Sequence, residues 1–207
     1  MTRGGSGAAE ADAAGDGIGP EAVTTFWLEE VGPKCWYEVD PALDERVRER
    51  FAPLWESALE GRLERWLCGP DGTLAYLILT DQMPRNMWRD RAEAFASDRA
   101  ALRAAKAAID RDWDLRIAEP ARQFFYLPLM HSEHLADQDR CVRLMLTRMP
   151  ETGASNLLHA KAHREVIRRF GRFPHRNAAL GRSDTPAEAA FLAEGGYGAV
   201  VREMKGE

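Results

Sequence analysis

The chain has 207 residues and carries 28 Lys and Arg against 33 Asp and Glu, a formal net charge of −5. At roughly 100–200 residues per domain this is one domain with a real core, and the acidic balance excludes a global attraction to nucleic acid or to an anionic membrane face. Leu74–Leu79, the longest apolar run, is too short to span a bilayer, while three dispersed cysteines (Cys35, Cys68 and Cys141) argue against a disulfide framework and for a reducing compartment.

Residues 1–17 are built mostly of Gly and Ala. They offer too little apolar surface to offset ordering entropy, so a disordered tail is expected, followed by a single domain over 18–207. The tail lacks the apolar region of a secretory signal, which with the cysteines predicts a cytoplasmic protein.

Helix signals then follow one another. Pro20 opens a helix over 21–30 that Gly32-Pro33 stops, and Asp40-Pro41 is a stronger start, an N-cap followed by a first-turn proline. Leu43, Val47, Phe51, Leu54, Trp55 and Ala58 recur at helical spacing to Gly61, with a kink or break expected at Pro53. Asp71-Gly72-Thr73 caps an apolar helix that Pro84 ends. Residues 92–112 carry Phe95, Leu102 and Ile109 on one stripe.

Glu119-Pro120 opens a helix over 121–127 that Pro128 closes. Ser132 and Glu133 open the next, with Leu135, Val142, Met145, Leu146 and Met149 on one side. A further helix over 154–170 stops at Gly171, a left-handed cap. Thr185-Pro186-Ala187-Glu188 is a capping box whose helix ends near Gly195-Gly196. No segment alternates with period two over any length. The prediction is an all-α fold of about eight helices in antiparallel pairs.

Three stretches carry polar residues beyond what helices need. Asp81, Gln82, Arg85, Asn86 and Arg89 close an apolar helix, where the dipole disfavours a carboxylate, so Asp81 should pair with Arg85 or Arg89. His131, Ser132, Glu133 and His134 follow an apolar run. His131 and Glu133 are the acid–base candidates. Between Lys161 and Arg182, seven Lys and Arg face one acid, Glu165. There Arg172, His175, Arg176 and Asn177 occupy a turn defined by Gly171 and Pro174, and could clamp phosphate or carboxylate. The His spacings fit zinc poorly, so neither a metal nor a cofactor is expected.

Five blocks now suggest a family: Phe26-Trp27, Asp81–Asn86, Phe95–Asp98, Tyr126–Glu133 and Phe170–Arg182. In this order they resemble the signature blocks of the DUF924 family, over about residues 20–195. The resemblance implies an all-α fold close to the tetratricopeptide-like right-handed superhelices, and no established activity.

The leading functional reading is a pocket for a small anionic molecule. Arg85, Arg89, Arg172 and Arg176 would hold it, Asn86 and Asn177 would orient it, and His131 with Glu133 would be acid and base. His131, Glu133, Arg172, His175 and Arg176 should then meet in space. The alternatives are a module binding a peptide on a concave helical face, and polar side chains that only tie helices together.

Overall fold

Proline and glycine set the helix boundaries along most of this chain, and the computed structural model describes residues 17–206. The tail expected over 1–17 therefore lies almost wholly outside the described residues. Among these residues there is no strand. Among the described residues no helix is long and apolar enough to cross a membrane.

Helix α1 (Pro20–Thr24) continues as a π-helical segment, Thr25–Val31, that stops at Gly32 with φ 72°. In α2 (Pro41–Leu59) Asp40 accepts from the Ala42 N–H at 2.9 Å, as a cap should. The expected break at Pro53 does not occur. Helix α2 runs through it, its neighbours Phe51, Leu54 and Trp55 all buried in the core.

The next stretch departs furthest from the sequence reading. Helix α3 (Pro70–Leu77) starts one turn earlier than expected, with Gly69 as N-cap and Pro70 in the first turn. Gly72 lies inside it, where a Cβ would sit 2.4 Å from the Trp66 carbonyl oxygen. The chain then passes through a π turn, Ile78–Gln82, straight into α4 (Met83–Met87). Pro84 does not end the helix because the carbonyl it cannot satisfy has another donor: the Ser97 hydroxyl donates to the Thr80 oxygen at 2.5 Å. Ser97 in turn accepts from the Trp55 indole at 2.9 Å. Asp81 is thus held inside a helical run, at the widened turn.

Ser97 also divides the expected 92–112 helix into a 3-10 turn, Ala92–Phe95, and α5 (Asp98–Ile109). The buried stripe of α5 is Ala101, Ala104, Ala105, Ala108 and Ile109; Leu102 is only partly buried. A 3-10 turn over Ala121–Phe125 leads into α6 (Leu127–Met130), where Pro128 sits in the first turn and does not close the helix.

Helix α7 (Leu135–Arg148) starts after Glu133, with His134 as N-cap. Its inner face is Asp137, Gln138, Cys141, Leu144 and Met145, so Leu135 and Leu146 are left exposed. Helix α8 (Ala154–Phe170) stops at left-handed Gly171, φ 69°, as its sequence predicts. Helix α9 (Pro186–Ala193) has the full Thr185–Glu188 capping box. Helix α10 (Gly196–Lys205) follows it without having been expected.

Helices α2 and α4, α3 and α5, α7 and α8, and α8 and α10 pack against one another. The main core runs from Val23 to Ala160 and takes in nearly all the large buried side chains. A smaller apolar cluster of Ala162, Val166, Ile167, Phe173 and Val200 lies under α10. His131, His163 and Arg176 connect the two, and the polar cluster described next occupies that seam.

Candidate functional site

The π turn delivers Asp81, 1% exposed, to the end of α6, where the chain leaves the helix at His131. The His131 Nδ1 lies 2.9 and 3.0 Å from the two Asp81 carboxylate oxygens. Gln82 donates to Asp81 at 2.5 Å, and the Arg85 guanidinium, 3.6 Å from the carboxylate, also donates to the Asp81 carbonyl. The expected Asp81–Arg85 pair is present, and His131 is the partner the sequence did not reveal.

Burial alone would push the Asp81 carboxyl up. His131, Arg85 and the hydrogen bonds from His131 and Gln82 outweigh it and hold the group at about 2. The same burial, with the Arg85 charge, draws His131 below its ordinary value. A neutral His131 donating through Nδ1 to an ionised Asp81 satisfies both directions, with Arg85 as the charge that keeps Asp81 ionised. In that tautomer Nε2 is a free acceptor, and it has no hydrogen-bond partner among the described residues.

The other arginines are ion-paired. Arg85 donates to both oxygens of Asp98 at 2.9 and 3.0 Å, and Arg176 reaches Asp98 at 3.4 Å. Arg89 holds Asp44 through two bonds, and Asn86 donates to Asp44 at 2.8 Å. Arg172 turns away to Glu188 at 2.6 and 2.7 Å. Asp44 and Asp98 were missed as partners; pairs 45 residues apart (Asp44 and Arg89) or 13 and 78 apart (Asp98 with Arg85 and Arg176) leave no periodic trace, although Asp98 does stand in one of the five blocks. The basic surplus of 161–182 is offset in space: Arg164 pairs with Asp139, Arg168 and Arg169 with Glu165, Arg182 with Glu133.

Glu133 is an anchored carboxylate. It accepts from the Phe173 N–H at 2.8 Å and from Arg182 at 2.7 and 2.9 Å. Arg182 also donates to Asn177, whose amide donates to Asp184 at 2.6 Å. Although burial opposes it, these bonds hold the Glu133 carboxyl below its usual range, so it stays ionised and straps the 173–184 loop to the turn before α7.

Three of the five residues expected to meet do so through rings, and Glu133 joins them through the Phe173 N–H. His131 faces His163 with ring centroids 6.2 Å apart, His163 faces Phe173 at 5.4 Å, and Phe173 lies 5.5 Å from His175. Arg176 is 6% exposed, stacked between Phe95 and Phe173 at 4.7 and 4.5 Å. Its Nε has no partner, and burial with the nearby Arg85 lowers its guanidinium to about 10. Arg172 is the exception. Arg176 is a tie in the seam between the two apolar clusters.

Two cavities share His131 and Tyr37 in their walls. One, about 200 Å³, is lined by Gln82, Arg85, Asn86 and Arg89 together with Trp36 and Glu38. The other, about 250 Å³, is lined by Leu127 and Met130 and by the rings of His159, His163 and Tyr197, with Ser155 and Asn156. Among the described residues no group of three or more His, Cys, Asp or Glu is arranged to hold a metal ion.

Residues 23–196 match the family model described as a bacterial protein of unknown function, DUF924. The chain belongs to this family. A solved structure of a protein of unknown function from Agrobacterium tumefaciens is similar, with 39% identity and a TM-score of 0.79, covering 84% of this chain and 97% of that one. No curated protein matches the sequence.

Proposed function

We propose that this protein binds a small anionic molecule in the cleft at His131 and uses the imidazole as an acid–base group. The reading is carried by one observation: a buried carboxylate fixes His131 Nδ1 where the same ring lies in the walls of both cavities. A carboxylate on Nδ1 sets the tautomer and leaves Nε2 to take or give a proton. Arg85 and Arg89 supply the attraction for an anion. Both line the polar cavity, and the Arg85 Nε and one terminal nitrogen of Arg89 are not used by their carboxylate partners.

The test is a thermal-shift titration with acetate and inorganic phosphate at pH 7. Either anion should raise the midpoint of the wild type and raise it less in Arg89→Gln. An unchanged midpoint at saturating anion, at constant ionic strength, would contradict the proposal.

A second reading, a peptide on the concave face of a tetratricopeptide-like superhelix, draws on Tyr37 and Val39, 59% and 75% exposed beside the same cleft. It predicts that Val39→Asp abolishes binding of a partner while the anion-induced shift persists.

A further inference from the structure

We infer that the ligand is an apolar carboxylate, its anionic head in the polar cavity and a short aryl or alkyl body in the cavity beyond His131. The inference rests on the anion-binding proposal above and adds the chemistry of the rest of the molecule.

The two cavities differ in what they offer. The polar one presents Arg85, Arg89, Asn86 and Gln82, donors suited to a carboxylate, against a single acidic wall residue, Glu38. The second has no Asp, Glu, Lys or Arg in its wall. Its histidines are uncharged near neutral pH: burial draws His163 down to about 3, and His159 is also lowered by burial.

Several of its polar atoms are already engaged. Tyr37 and Asn156 both donate to Gln123 Oε1, at 2.5 and 2.8 Å, and the Tyr197 hydroxyl meets His159 Nδ1 at 2.5 Å. The His163 Nδ1 is bonded to the His159 carbonyl at 2.9 Å. What remains for a ligand is the Leu127 and Met130 side chains and the ring faces, with the histidine Nε2 atoms, the Ser155 hydroxyl and Asn156 Oδ1 at the edges. At about 250 Å³ the space exceeds the roughly 150 Å³ in which an apolar cavity holds a benzene molecule.

A head alone would leave this second cavity unused. A molecule filling both must pass the shared wall, Tyr37 and His131, which brings the atoms joining head to body against the imidazole. That is where an acid–base group would act on it.

The experiment compares 3-phenylpropionate, acetate and 3-phenylpropan-1-ol by calorimetric titration of the full-length protein. The acid should bind at least about tenfold more tightly than either acetate or the alcohol. Ser155 is exposed in the wall of the apolar cavity, so Ser155→Trp should fold, fill the space and remove the advantage over acetate while acetate binding stays unchanged.

Equal affinity for acetate and phenylpropionate, or an advantage that survives Ser155→Trp, would overturn the two-part ligand and leave anion binding standing. Alcohol binding as tightly as the acid would overturn the role of the head. Failure of every anion, phosphate included, would remove the underlying proposal too.

Discussion

Acidifying the protein from pH 8 to pH 5 should cost about 2 kcal/mol of stability through His163 alone. Its ring packs against Phe173, Tyr197 and His131, and its Nδ1 is committed to the His159 carbonyl. Burial, reinforced by His131 and Arg176, lowers the imidazole from 6.5 to about 3. Between these values the unfolded chain binds a proton that the native chain refuses, so stability is complete above about 6.5 and declines as the pH falls. At pH 5 the group lies about 1.5 pH units below its unfolded value, and at about 1.4 kcal/mol per unit the loss is about 2 kcal/mol. Lowered His131 acts in the same direction, and Asp98, raised by burial and by the nearby Asp81, acts in the opposite one. Comparison with a variant therefore isolates the His163 contribution. Urea denaturation at pH 8, 6.5 and 5 on wild type and His163→Gln should give a flatter pH dependence in the variant by that amount. Parallel profiles in the two proteins would show that His163 does not carry this pH dependence.

Arg176→Ala should lower stability by about 1–3 kcal/mol, because it empties the space between Phe95 and Phe173 and leaves Asp98 with Arg85 alone; thermal melts check this. Arg148→Ala should cost about 3 kcal/mol, since the fully buried Asp114 would keep only the Tyr126 hydroxyl of its present partners, and denaturant titration reads the loss. Gly72→Ala should destabilise far more than Gly171→Ala. The first places a Cβ 2.4 Å from backbone oxygen, whereas the second meets nothing within 4 Å and carries only the left-handed backbone penalty of about 1–2 kcal/mol. Equal midpoints for the two variants would contradict the packing described for α3.

The helices were legible in the sequence wherever local chemistry decides them. Asp40, Gly171 and the Thr185–Glu188 box each perform at the backbone the cap their residue types imply. The π turn at Ile78–Gln82 was not legible, because its departure from helical period spans a single turn and its support comes from Ser97 and Trp55, distant in the chain. For the same reason Pro84 read as a stop. The candidate site divides along this line too. His131, Asp81 and Arg85 stood out as polar residues in apolar surroundings, whereas Asp44 and Tyr37 enter only through three-dimensional pairing, and Asp98 and His163 take their roles from it. Arg172 and Glu133 show the converse: conspicuous in sequence, they are committed to Glu188 and Arg182 in the fold.

In the proposed site Asp81 fixes His131 as a neutral base with Nε2 open to the cleft. Nitrogen-15 chemical shifts of the His131 ring, followed from pH 8 to pH 4 and assigned through His131→Gln, measure tautomer and protonation together. The expected result is a neutral ring at pH 7 with the proton on Nδ1, an ionisation below the ordinary histidine range, and a shift of the Nε2 signal when a carboxylate is added. A ring already charged at pH 7, or a proton resident on Nε2 and indifferent to carboxylate, would contradict it.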